Sequence, residues 1–147
     1  MIHYYKTNCI DENLRLIREF VKCVLHEFNF NDIQINQLVL AVEEVCTNVI
    51  RHSIPQKGND SLEINITDHH NFLEFEIIDN HLPTSFDPGS YKTTTINHIV
   101  KERKKGGIGL MLVKIIMDEV EYMHTNAQNI WRLRKSFPNM EPPSPAN

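Results

Sequence analysis

The chain has few cysteines, no excess of basic charge and no long apolar run, and each shortage excludes something. Its three cysteines, Cys9, Cys23 and Cys46, are scattered and form no CxxC pair. Neither a disulfide framework nor a zinc site is therefore expected, and free thiols suit a reducing cytoplasm. No uninterrupted apolar stretch approaches the roughly 20 residues of a membrane span. The opening residues, MIHYYKTNCIDE, have neither the basic start nor the apolar core of a signal peptide. Basic charge is not in excess: a formal net charge of −4 over 147 residues gives no general reason to expect nucleic-acid binding. This length predicts one ordinary domain, residues 1–136. Residues 137–147 form a proline-rich tail expected to be disordered.

What is present is strongly patterned. Residues 2–6, IHYYK, are β-prone and lead to Thr7-Asn8, a helix-start signal. From about residue 10 to residue 28, Leu14, Ile17, Val21, Val24, Leu25 and Phe28 keep helical spacing, with Glu12, Arg15, Arg18, Glu19 and Lys22 between them. That is an amphipathic packing helix. Residues 62–66 and 73–77 alternate apolar and polar, predicting a hairpin with one buried face. Its turn, Asp68-His69-His70-Asn71, could suggest a metal, but a solvated turn is the better reading. Residues 119–124 and 129–136 predict a second hairpin.

The stretch LVLAVEEVCTNVIRHS, residues 38–53, is different. At about 100° per residue, Val39, Val42, Val45, Cys46, Val49 and Ile50 fill one broad arc, while Glu43, Glu44 and Thr47 lie opposite. Asn48 and His52 fall where the two arcs meet, and Glu44 lies one turn before Asn48. A helix this apolar is built to be buried, so its polar edge calls for a function. Further on, residues 80–105 lack periodicity and carry Lys92, Lys101, Arg103, Lys104 and Lys105 against only Asp87 and Glu102. A long aperiodic segment inside a compact domain is expected to be a lid or a disordered segment, and its basic charge also suits a merely solvated loop. Three of the five glycines then cluster as Gly106-Gly107-Ile108-Gly109, opening the apolar segment that begins at Leu110. Glycines before a helix let the backbone approach a ligand, and first-turn N–H groups have no intrahelical partners.

Phosphoryl transfer from ATP needs a base, a hard-cation ligand, phosphate donors and an adenine contact. Glu44 can serve as base and Asn48 as oxygen ligand for Mg²⁺. Asp79, just after a strand, can accept from the exocyclic amine of adenine. The glycine run and the basic lid face the phosphates.

These pieces also resemble a known family. EEVCTNVIRHS is similar to the N box of the GHKL (Bergerat-fold) ATPases, IIDN at residues 77–80 to the G1 box, and GGIGL at residues 106–110 to the G2 box. The E-x-C-T-N form, Phe86-Asp87-Pro88 and MDEV at residues 117–120 most resemble the anti-sigma-factor serine-protein kinases. The resemblance covers roughly residues 5–136. It implies a two-layer α/β sandwich, with a mixed, mostly antiparallel sheet covered by helices on one face. It also implies Glu44 as general base, Asn48 as magnesium ligand and Asp79 as adenine contact. Gly107 and Gly109, with Leu110, would line the phosphates, and Arg51 and Lys105 would contact them. The implied partners are a sigma factor and an anti-anti-sigma antagonist phosphorylated on serine, in a possible homodimer, without nucleic acid or membrane.

The sequence departs from that family on the nucleotide side. Asp79-Asn80-His81 stands where the family has Asp-x-Gly, and the final turn, Asn126-Ala127-Gln128-Asn129, lacks its Gly-Thr pair. The stretch from Asp79 to Phe86 is also longer than the family spacing, and all three changes predict weakened nucleotide binding. Two alternatives follow: a partner-switching binding module of the same fold with little ATP turnover, and the catalytic domain of a histidine kinase. The second is disfavoured because nothing before residue 30 resembles a phosphoacceptor hairpin.

Overall fold

The computed structural model describes residues 1–52, 60–80, 93–94, 107–125 and 128–138. The expected lid, except for Asn80, Thr93 and Thr94, and the expected tail beyond residue 138 lie outside the described residues.

The first strand, β1 (Ile2–Asn8), leads through a 3-10 turn (Asp11–Asn13) into α1 (Leu14–Leu25). Helix α1 is shorter than its periodicity, because Asp11–Asn13 form the tighter turn and the chain leaves the helix after Leu25. Its apolar stripe packs as expected: Ile17, Val21, Val24 and Leu25 are buried. Helix α2 (Asp32–His52) starts with a reciprocal cap. Asn31 Oδ1 accepts from the Gln34 backbone N–H at 2.8 Å, and Gln34 Oε1 accepts from the Asn31 N–H at 3.0 Å. This is a capping box, which satisfies two otherwise orphaned donors.

The strands β2 (Ser61–Asp68) and β3 (Phe72–Asp79) form the first hairpin. A two-residue strand β4 (Thr93–Thr94), helix α3 (Gly107–Ile116), and strands β5 (Glu119–His124) and β6 (Asn129–Ser136) complete the fold. The sheet order is β1-β2-β3-β6-β5-β4. Every described pairing is antiparallel. The edge pairing of Thr93 and Thr94 with Met123 and Tyr122 has no sequence signature, since two residues cannot display a period.

Alternation decides which face is covered. Leu62, Ile64 and Ile66 of β2, Leu73, Phe75 and Ile77 of β3, and Trp131 and Leu133 of β6 are all buried. They face the helices, and α2 contacts both α1 and α3. The buried positions of α2 extend to Ile35, Leu38 and Ala41, whereas Val39 is only half-buried. The other sheet face is polar. Arg134 bridges Glu74 (2.7 Å) and Glu119 (2.8 Å), and Arg132 meets Glu76 at 3.0 Å.

Two details fix the end of α3. Lys135 Nζ donates to the Ile116 carbonyl at 2.9 Å, satisfying an orphan acceptor of the last turn. Asp118 Oδ2 accepts from the Ser136 N–H at 2.7 Å, so part of the MDEV stretch ties the helix exit to β6. Just past β6, the Phe137 ring lies tilted against those of Phe28 and Phe30, with centroids 5.4 and 6.0 Å away.

Candidate functional site

Helix α2 carries two adjacent carboxylates, and the fold sends them to different neighbours. Glu43 turns to α1, where its Oε1 accepts from Arg18 Nη1 at 2.6 Å. Glu44, about 100° further round, points at the first turn of α3. Its carboxylate occupies the space where a side chain on Gly109 would begin. A Cβ there would overlap Oε2 and lie 3.0 Å from Cδ. The demand for glycine at position 109 is therefore steric. It lets α2 bring a carboxylate onto the start of α3, where N–H groups lack intrahelical partners and the dipole favours an anion.

The other sequence-derived residues are distributed over α2, α3 and the end of β3. Asn48 lies one turn beyond Glu44 on α2 and is half-buried, while Arg51 is exposed. Gly107 is the first residue of α3. The Leu110 side chain is 2% exposed and belongs to the core, so its backbone N–H is what it can offer a ligand. Lys105 lies outside the described residues.

Asp79 sits at the end of β3, 3% exposed on the helix-covered face. Cross-strand pairing places Asn129 beside it and His124 beside Asn129. Asn129 Nδ2 donates to Asp79 Oδ1 at 2.7 Å. Asn129 Oδ1 accepts from the Tyr122 hydroxyl at 2.8 Å and contacts His124 Nδ1 at 2.5 Å. Asn80 closes the strand end by accepting from the Ser61 N–H at 3.1 Å. His124 and Asn129 were not among the sequence-derived site residues. Their signal was a strand period of two, which puts Asn129 in line with Trp131 and Leu133, and His124 in line with Tyr122. Polar side chains at inward positions need a partner.

Two thiols connect this row with α2. Burial first, and then the Asp79 and Asp60 carboxylates, push the Cys9 thiol up to about 12. Cys46, on α2 between Glu44 and Asn48, is pushed up by burial, then by Cys9 and Glu43. Both thiols stay protonated and act as small apolar fillers behind the site.

The arrangement fits a nucleotide with a hard cation. The groups available are a glycine-opened helix start facing Glu44, a half-buried carboxamide one turn along α2, and a buried carboxylate at a strand end. Among the described residues no cluster of three metal-binding side chains exists. Magnesium does not require one, since it commonly takes one or two protein oxygens plus phosphates and water. Among the described residues no helix is long and apolar enough to cross a membrane.

An α/β sandwich whose long central helix and glycine-opened helix meet over an antiparallel sheet defines a nucleotide-binding class. Residues 10–135 match the histidine kinase-like ATPase domain, and the chain belongs to that family. Within it, the chain is similar to the serine-protein kinase RsbW of Bacillus subtilis (strain 168), at 30% identity over 114 residues, 74% of this chain and 69% of the relative. It is likewise similar to RsbW of Bacillus cereus (strain B4264), at 29% identity over 125 residues, 81% of this chain and 75% of the relative. Among solved structures, the RsbU and RsbW domains of a Mycobacterium tuberculosis protein superpose with a TM-score of 0.67 at 13% identity. That match covers 93% of this chain but 32% of the longer protein, and it shows the shared fold. The chain is thus a GHKL-type protein resembling the anti-sigma serine-protein kinases, a kinase-type family that uses ATP.

Proposed function

We propose that the chain is a cytoplasmic serine-protein kinase and anti-sigma factor. It would bind ATP and Mg²⁺, hold a sigma factor, and phosphorylate a serine of an antagonist protein. The observation that carries this reading is the seating of Glu44 against Gly109, which unites the polar edge of α2 with the start of α3.

In this reading Glu44 is the general base. It accepts the proton of the substrate serine hydroxyl as that oxygen attacks the γ-phosphorus, and the bond to the bridging β–γ oxygen breaks. Positioning and charge complementarity then supply most of the acceleration. The backbone N–H groups at Gly107, Gly109 and Leu110 hold phosphate oxygens, and Arg51 adds positive charge from the α2 end. Asn48 would hold Mg²⁺, which when bound offsets phosphate charge. Asp79 accepts from the amine of adenine. Glu43 is unsuited to the base role because Arg18 already engages it.

The test is transfer of labelled phosphate from ATP to candidate antagonists. Glu44→Ala is expected to lower transfer by at least about a hundredfold, the scale of general-base loss. Undiminished transfer in that variant would sink the assignment of the base.

A second reading, a partner-switching module with little or no turnover, draws on Asp79 being engaged by Asn129 and on Asn80-His81 replacing the family glycine. Calorimetry separates the two. Heat of ATP binding in the presence of magnesium supports the kinase, and none at millimolar nucleotide supports the module.

A further inference from the structure

The polar row Asp79–Asn129–His124 crosses three neighbouring strands on the buried face, and its hydrogen-bond polarity can be worked out. An ionised carboxylate only accepts, so the Asn129 carboxamide must turn its NH₂ toward Asp79 and its oxygen toward β5. That oxygen receives the Tyr122 hydroxyl. It also faces His124 Nδ1, which can bond to it only by carrying the ring proton. The neutral imidazole is then the Nδ1–H tautomer, and Nε2 keeps its lone pair. Nε2 is buried and has no hydrogen-bond partner among the described residues. The row thus runs from the Asp79 carboxylate at one end to the buried His124 Nε2 at the other.

We propose that Asn129 is the positioning residue of a base-recognition relay. His124 and Tyr122 lock its carboxamide, and the carboxamide in turn fixes the orientation of the Asp79 carboxylate. A carboxylate fixed in this way selects a base that presents a donor, the 6-amino group of adenine, and rejects one that presents a carbonyl oxygen there. The role resides in Asn129, at the turn where the family's Gly-Thr pair is missing. The proposal rests on the reading of Asp79 as the base contact.

The experiment uses the full chain and measures, by calorimetry, the affinity for ATP relative to purine riboside triphosphate, which lacks the 6-amino group. The wild-type protein is expected to prefer ATP by about tenfold or more, the worth of a hydrogen bond to a charged acceptor. Asn129→Leu removes the donor to Asp79 without adding a charge beside it. The ratio should fall toward one; a merely structural role would weaken both nucleotides together and keep the ratio. His124→Phe keeps an aromatic ring, should lower the ratio several-fold, and decides the matter if Asn129→Leu fails to fold. Folded variants that keep the wild-type ratio would overturn the relay and leave the base reading of Asp79 standing. A wild-type protein that binds both nucleotides equally, or neither, overturns that base reading and the relay with it. Independently, ¹⁵N imidazole shifts should report His124 as the Nδ1–H tautomer; the Nε2–H tautomer would reverse the polarity and refute the relay.

Discussion

Gly109 is small because Glu44 is beside it, and that contact makes an unusual prediction about stability and activity. In Gly109→Ala the new methyl meets the flexible end of the Glu44 side chain, so the carboxylate shifts while the helix stays. Replacing a helical glycine by alanine also favours the helix by about 1 kcal/mol. The melting temperature should therefore change little, while phosphotransfer falls by about a hundredfold, the usual cost of misplacing a reacting group by an ångström. A thermal melt beside a transfer assay checks both halves. The thiols give a second residue-scale prediction. Cys23 is exposed, whereas Cys9 and Cys46 are buried with raised pKa values. Thiolate is the reactive form, so Ellman's reagent should titrate one thiol in the native protein and all three in denaturant.

At the scale of elements, the start of α2 is written locally. Asn31 and Gln34 are an N-x-x-Q pair ahead of an apolar run, and they bond reciprocally. Asn31→Ala should cost about 1 kcal/mol and lower the melting temperature by about 3–6 °C, readable in a calorimetric scan. The two hairpins were equally accessible to reading, because alternation over eight residues in β2, β3 and β6 leaves one consistent inner face. Phe75 sits fully buried at the centre of that face, and Phe75→Ala should destabilise by about 3–5 kcal/mol. Chemical denaturation would show it as an earlier midpoint with an unchanged slope. The helix α3 was harder to bound. Its apolar run continues past Ile116 to Met117, and the bonds of Lys135 to the Ile116 carbonyl and of Ser136 to Asp118 mark where helix gives way to strand.

For the whole molecule, the buried thiols couple stability to alkaline pH. A thiol whose folded pKa is raised binds its proton more tightly in the native state than in the unfolded chain. Its stabilising effect is complete below the unfolded value of 9.0, and it is lost as pH rises toward the folded value of about 12 for Cys9. Urea midpoints measured from pH 8 to 11 should therefore decline, and Cys9→Ala should flatten that decline. A decline unaffected by the substitution would assign it to other groups.

By itself the sequence determined the family, the order of helices and hairpins, and the pairing of Glu44 with Asn48 one turn apart on a half-buried edge. Those are short-range facts, set by periods of 2 and about 3.6 residues and by motifs within a few residues of each other. Tertiary structure alone decided that Glu43 goes to Arg18 while Glu44 goes to Gly109, since both carboxylates are equal in sequence. It alone joined Asp79 to Asn129 and His124, because a register between strands fifty residues apart is fixed by packing the sheet's inner face and by no local signal.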